Sequence, residues 1–116
     1  MLHLDDLAAA NLERAHAAVG GNSAELVIRD GVLRQTVIAL CAGRELAEHV
    51  SPPAATLQML RGRIRVLKRG QLTEELVAGE LLSLTDSRHS VEALEDSVFL
   101  LTSVSRPSDG SNPRVA

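Results

Sequence analysis

Aromatic side chains are nearly missing from this chain: Phe99 stands alone, with no tryptophan and no tyrosine. Without them there is no stacking platform of the kind that holds single-stranded nucleic acid. An excess of one charge is missing too. Twelve Lys and Arg face 15 Asp and Glu, a net charge of −3, so nothing global draws the chain to nucleic acid or to an anionic membrane. The single cysteine, Cys41, excludes an intrachain disulfide framework and a zinc knuckle, and it suits a reducing cytoplasm, the expected location. It closes an apolar run and reads as a small buried hydrophobe rather than a nucleophile. A long apolar run is lacking at the start, where Asp5, Asp6, Glu13 and Arg14 interrupt the first segment. Neither a signal peptide nor a membrane span is expected there.

What the chain does have is enough apolar material for one core: 45% of 116 residues, in the ordinary size range of a single domain. From about Asp5 to Val19, Leu4, Leu7, Leu12 and Val19 are set among Ala, Asp, Asn, Glu and Arg, which predicts one amphipathic helix. Gly20-Gly21-Asn22 stops it. Asp5 and Asp6 suit the positive end of the helix dipole and His16 the negative end, so His16 reads as a terminal surface residue rather than a ligand. The helix is expected to pack across a sheet or onto a partner subunit.

After Gly21 the pattern becomes that of strands. Ala24 to Arg29, Val32 to Cys41, Leu46 to His49, Thr56 to Arg61, Arg63 to Leu67, Leu72 to Val77, Glu80 to Leu84, His89 to Leu94 and Ser97 to Val104 are short β-rich runs. Turn signals at Asp30-Gly31, Ala42-Gly43, Pro52-Pro53, Gly62, Gly70, Gly79, Asp86-Ser87 and Glu95-Asp96 separate them. The centre of the run Val32 to Cys41 is apolar on both faces, as expected for a strand with a core on one side and a helix or second subunit on the other. Arg61, Arg63, Arg65, Lys68 and Arg69 form a basic cluster in one dimension, but alternation with Ile64 and Val66 makes most of it the wet face of a hairpin. One helix before many short strands predicts an all-β antiparallel barrel or jelly roll. The expected division is a helix and linker at 1–21, a barrel at 22–105, and a Pro/Gly/Ser-rich tail at 106–116 that needs no fixed structure.

Two stretches carry the candidate site. GRELAEHVSPPAATLQMLRG, Gly43 to Gly62, sets His49 five residues beyond a glycine and closes on another glycine. AGELLSLTDSRHSVEAL, Ala78 to Leu94, sets His89 after a polar turn. Together they resemble the two motifs of the cupin superfamily, in particular its small single-domain bacterial members, over Leu33 to Val104. In the first motif Gly43, His49 and Gly62 match, while the second histidine position is Ser51 and the glutamate position is Ala55. In the second, Gly79 and His89 match, and Thr85 and Ser87 stand where a proline and glycine are usual. The resemblance implies a double-stranded β-helix around a pocket, dimers in which N-terminal elements cover the partner's sheet, and, in members with a full site, a divalent metal such as manganese, iron, nickel or zinc on three histidines and a glutamate. Of those four positions this chain keeps His49 and His89.

Two imidazoles need a further protein ligand or several waters to hold such a metal, because catalytic centres ordinarily use three protein ligands. The missing glutamate also removes the negative charge that would offset the cation. Without metal, His49 and His89 are a pair able to bind an anionic or hydroxylated small molecule or to move a proton. Ser51 and Thr85 would add hydroxyls, and Ala55, Leu57 and Met59 would line the pocket. Arg44 and Arg88, beside the motif ends, are candidates to neutralise a bound carboxylate, with solvent exposure the simpler expectation. Glu92 should face away from His89. Three functions compete: a small-molecule-binding or sensing protein with little or no metal-dependent catalysis, a metal-dependent dioxygenase or isomerase on a reduced ligand set, and a structural module with a filled barrel. Fold alone does not choose among them.

Overall fold

A computed structural model describes residues 1–50, 54–69, 71–84 and 88–105; the expected C-terminal tail lies outside the described residues. The described residues form helix α1 (Leu4–Ala17) and then nine strands, β1 (Asn22–Asp30), β2 (Leu33–Leu40), β3 (Glu45–Val50), β4 (Ala54–Arg61), β5 (Arg63–Lys68), β6 (Gln71–Val77), β7 (Leu81–Ser83), β8 (Arg88–Ala93) and β9 (Ser97–Val104). The helix and every strand fall within two residues of the ends expected from hydrophobic pattern and turn residues. All the strand pairings among the described residues are antiparallel, in the orders β1-β2-β9-β4-β7 and β3-β8-β5-β6. Among the described residues the two sheets face one another without hydrogen-bonding into a closed cylinder, which makes a jelly roll rather than a continuous barrel.

The long strands β2 and β9 sit inside their sheet, and their paired halves, 37–40 and 97–100, bury both faces. Ile38, Leu40 and Phe99 point into the space between the sheets, while Val37, Ala39, Val98 and Leu100 point to the other side, where α1 lies. This is the physical reason those halves lack polar alternation: each residue there has a core to enter. Helix α1 therefore covers its own sheet. The inter-sheet core adds Leu57 and Met59 from β4, Ile64 and Val66 from β5, and Val91 and Ala93 from β8.

The buried stripe of the helix differs from the expected one. Leu4 is 38% exposed and Val19, beyond the helix end, is 99% exposed; Ala8, Asn11 and Ala15 are the residues that enter the interface, flanked by Leu7 and Leu12. Small side chains at 8 and 15 let the helix approach the sheet closely. The buried asparagine is fully used. Its Nδ2 donates to the Leu7 carbonyl at 3.0 Å and to Glu25 Oε1 at 2.9 Å, and its Oδ1 accepts from Ser23 Oγ at 2.8 Å and from Arg14 at 3.2 Å. Two donors and two acceptor sites are thus all satisfied at the centre of an otherwise apolar contact.

On the outer face of the second sheet, Arg63 and Arg65 from β5 lie beside Glu75 of β6 at 3.2 and 3.8 Å, and Arg65 also reaches Glu92 of β8 at 3.4 Å. Much of the one-dimensional basic cluster is thereby interleaved with carboxylates. At the β4–β5 corner, Gly62 has a φ of 83°, and a Cβ there would overlap the Asp96 carbonyl and the Ser97 hydroxyl. Ser97 is fully buried; its Oγ accepts from the Arg63 N–H at 3.0 Å and lies within hydrogen-bond reach of the carbonyls of Arg63 and Glu95. The glycine that closes the first motif is required by this backbone crossing.

Candidate functional site

Strands β3 and β8 bring the two motif histidines together. His49 and His89 are direct cross-strand partners in the antiparallel ladder, one step beyond the Leu46 and Val91 pair. That step spans three residues on β3 and two on β8, so a bulge at 46–49 absorbs one residue of β3. Bulges of this kind shift which residues stand opposite one another. Without it His49 would fall out of register with His89. The backbone register that sets His49 opposite His89 thus rests on a feature that spacing does not reveal.

His89 is 8% exposed and shares the inward face of β8 with Val91 and Ala93, both buried. Ser90 and Glu92 take the other face, and Glu92 pairs with Arg65, as alternation predicts. Across the sandwich, Ala55, Leu57 and Met59 are buried on the inward face of β4, whereas Gln58 is exposed. The Ala55 carbonyl accepts from Leu84 N–H at 2.9 Å, which ties the strand to the segment leading toward His89. Leu57 pairs with Leu82 and Leu101 in register. Ser51 and Thr85 lie outside the described residues.

Position by position, the donor set does not fit a centre of three histidines and a glutamate. A buried methyl stands at Ala55, among Leu57, Leu82, Leu84 and Leu101. Its β4 neighbours on the same face offer no carboxylate. Arg88 is exposed on the outward face of β8. Arg44 is not at this end at all: it precedes β3, and its side chain packs over Gly21 near the end of α1.

Two facing antiparallel sheets of this kind are shared by solved structures of low sequence identity. A conserved protein of unknown function from Streptococcus pyogenes superposes with a TM-score of 0.67 at 23% identity, covering 77% of this chain and 78% of that one. A cupin superfamily protein from Desulfitobacterium hafniense also gives 0.67, at 12% identity over 73% of this chain and 78% of that one. The chain has the cupin fold. A salicylate 1,2-dioxygenase from Pseudaminobacter salicylatoxidans gives 0.72 at 18% identity over 85% of this chain but 33% of its own length. No family model matches the sequence, and no curated protein matches it. No described helix is long and apolar enough to cross a membrane.

The cupin fold places a second group of reactive side chains at the other end of β8. His16, Cys41 and Asp96 offer ligand atoms that all lie within 4.8 Å of one another. His16 is a surface residue, as expected, but a partnered one: its Nε2 is 3.0 Å from Asp96 Oδ2 and its Nδ1 is 3.6 Å from Cys41 Sγ. Cys41 packs at the margin of the helix–sheet core. Nothing in the spacing of 16, 41 and 96 signals this. Only the return of β9 beside β2 brings the three together.

Proposed function

We propose that this cupin-fold protein binds a small molecule at the His49/His89 end of the sandwich, with little or no metal-dependent catalysis. One observation carries the reading: a buried His89 in direct register with His49, facing a β4 wall whose ligand position is Ala55. A histidine pair beside an apolar wall suits a ligand with one anionic or hydroxylated group and an apolar body. Ser51 and Thr85 would extend the polar side. Pairing of two copies belongs to the proposal as well, with exposed Leu26 and Ile28 of the outer strand β1 and neighbouring Val32 as the surface it would use.

Metal-dependent catalysis of the kind carried out by enzymes of this fold is the competing reading, and it requires a metal that depends on both histidines. The test is a titration of the untagged protein, followed by NMR, with aromatic carboxylates, hydroxy acids and sugars. The expected result is saturable perturbation around β3 and β8 by at least one class, lost in His89→Ala. Elemental analysis of the same samples supplies the opposing outcome. One equivalent of transition metal, retained by the parent protein and lost in His49→Ala/His89→Ala, would overturn the reading.

A further inference from the structure

His16 sits in the last turn of α1, Cys41 follows the end of β2, and Asp96 lies in the turn between β8 and β9. Two of the three are held by the backbone. Asp96 Oδ1 accepts the Ala42 N–H at 2.8 Å, which leaves Oδ2 turned to His16. Cys41 donates its N–H to the Gly21 carbonyl at 2.9 Å, and its own carbonyl accepts from Arg44 N–H at 3.0 Å. The His16 side chain is 55% exposed, so its ring can turn about its own torsions without disturbing the core.

The group therefore offers one nitrogen, one sulfur and one oxygen from three separate elements, the first two at the edge of solvent and the third on a fixed carboxylate. Such a mixture suits zinc and its borderline neighbours and suits magnesium or calcium poorly, since those take oxygen alone. A tetrahedral zinc shell with zinc–sulfur near 2.3 Å and zinc–nitrogen or zinc–oxygen near 2.0 Å sets its ligand atoms about 3.3–3.6 Å apart. No two of these atoms are more than 4.8 Å apart, so a closure of little more than about 1 Å, through the side-chain torsions of His16 and Cys41, brings them to that spacing. A thiolate and a carboxylate would offset the two positive charges, and the end of α1 presents the negative pole of its dipole to a cation.

We propose that His16, Cys41 and Asp96 bind a zinc-class divalent cation at the end of the sandwich opposite the histidine pair, with water in the fourth position. The site is independent of the ligand proposal above, because it shares no residue with it. A metal-free chain, in which the imidazole merely links thiol to carboxylate, is the alternative that the test must separate.

The test uses the untagged full chain carrying His49→Ala/His89→Ala, so that the motif histidines contribute nothing. Zinc is titrated by calorimetry, cobalt(II) by absorption, and Cys41 alkylation by iodoacetamide is timed with and without zinc. The expected results are one zinc per chain, a thiolate-to-cobalt charge-transfer band, and alkylation slowed at least tenfold by zinc and restored by a chelator. Cys41→Ser should abolish the band, and His16→Ala and Asp96→Asn should each weaken zinc binding at least tenfold. His16→Ala removes only an exposed side chain, and Asp96→Asn keeps an oxygen for Ala42, so both variants test binding in a folded chain. No cobalt band, zinc affinity within twofold of the parent in His16→Ala, or alkylation indifferent to zinc would each overturn the proposal.

Discussion

Replacing Asn11 with alanine should be among the most damaging changes available on the helix. The side chain is completely buried and makes four hydrogen bonds, two of them to charged partners, Glu25 and Arg14. A neutral hydrogen bond contributes about 1 kcal/mol net and one to a charged group about 1.5–3 kcal/mol, while a buried group left unpaired costs roughly 1–3 kcal/mol. Not all of this is lost. Arg14 and Glu25 retain their own contact at 2.9 Å near solvent, and the Leu7 carbonyl keeps its place in the helix ladder. The Ser23 hydroxyl loses its acceptor and a cavity opens between α1 and β1. The net expectation is about 2–4 kcal/mol of destabilisation, against the roughly 5–15 kcal/mol that hold a typical domain together. Urea unfolding followed by circular dichroism reads it directly. A double-mutant cycle with Ser23→Ala should show positive coupling, because both variants remove the same bond. A loss below about 1 kcal/mol, or an Asn11→Leu variant more stable than the parent, would refute the claim that this polar network holds the helix to the sheet.

Gly62→Ala should cost more than Gly79→Ala. Both glycines have positive φ, but a Cβ at 79 meets nothing within 4 Å, whereas at 62 it overlaps Asp96 and Ser97. Thermal unfolding should show about 1–2 kcal/mol of left-handed strain at 79 and clearly more at 62; equal losses would sink the crossing argument. The Arg14 hydrogen bond, then that of Asn11, hold the Glu25 carboxyl below its usual 4.5. A folded value below the unfolded one means that the unfolded chain takes up protons first, so this stabilisation is complete above the unfolded value and disappears as pH falls through the folded one. Glu25→Gln should therefore flatten the acid limb of the stability–pH curve, and an unchanged limb would contradict this. Glu75→Gln should change stability by less than about 1 kcal/mol and become neutral in high salt, because its pairs with Arg63 and Arg65 are solvent-exposed; a loss that persists at high salt would argue against a screened surface pair.

The order of one helix and nine strands was readable because each clue is local. Alternation at Ile64 and Val66, glycines at turns, and the two-faced apolar runs ending at Cys41 and Val104 are set by chain geometry over a few residues, and the resemblance in the glycine and histidine spacings supplied the jelly roll. The faces that these elements bury were partly readable for the same reason: Ala55, Leu57 and Met59 against Thr56 and Gln58 follow from a period of two. Three features were beyond local reach. The β3 bulge that sets His49 against His89 depends on a pairing with β8 some forty residues later. The helix interface at Ala8, Asn11 and Ala15 is selected by closeness to Val37, Ala39, Val98 and Leu100 and by partners on β1. There close approach and hydrogen-bond satisfaction outweigh hydrophobicity, and a leucine-weighted stripe points elsewhere. The group of His16, Cys41 and Asp96 exists only because the end of β2 lies beside the start of antiparallel β9 under the last turn of the helix, a coincidence of position that no spacing along the chain encodes.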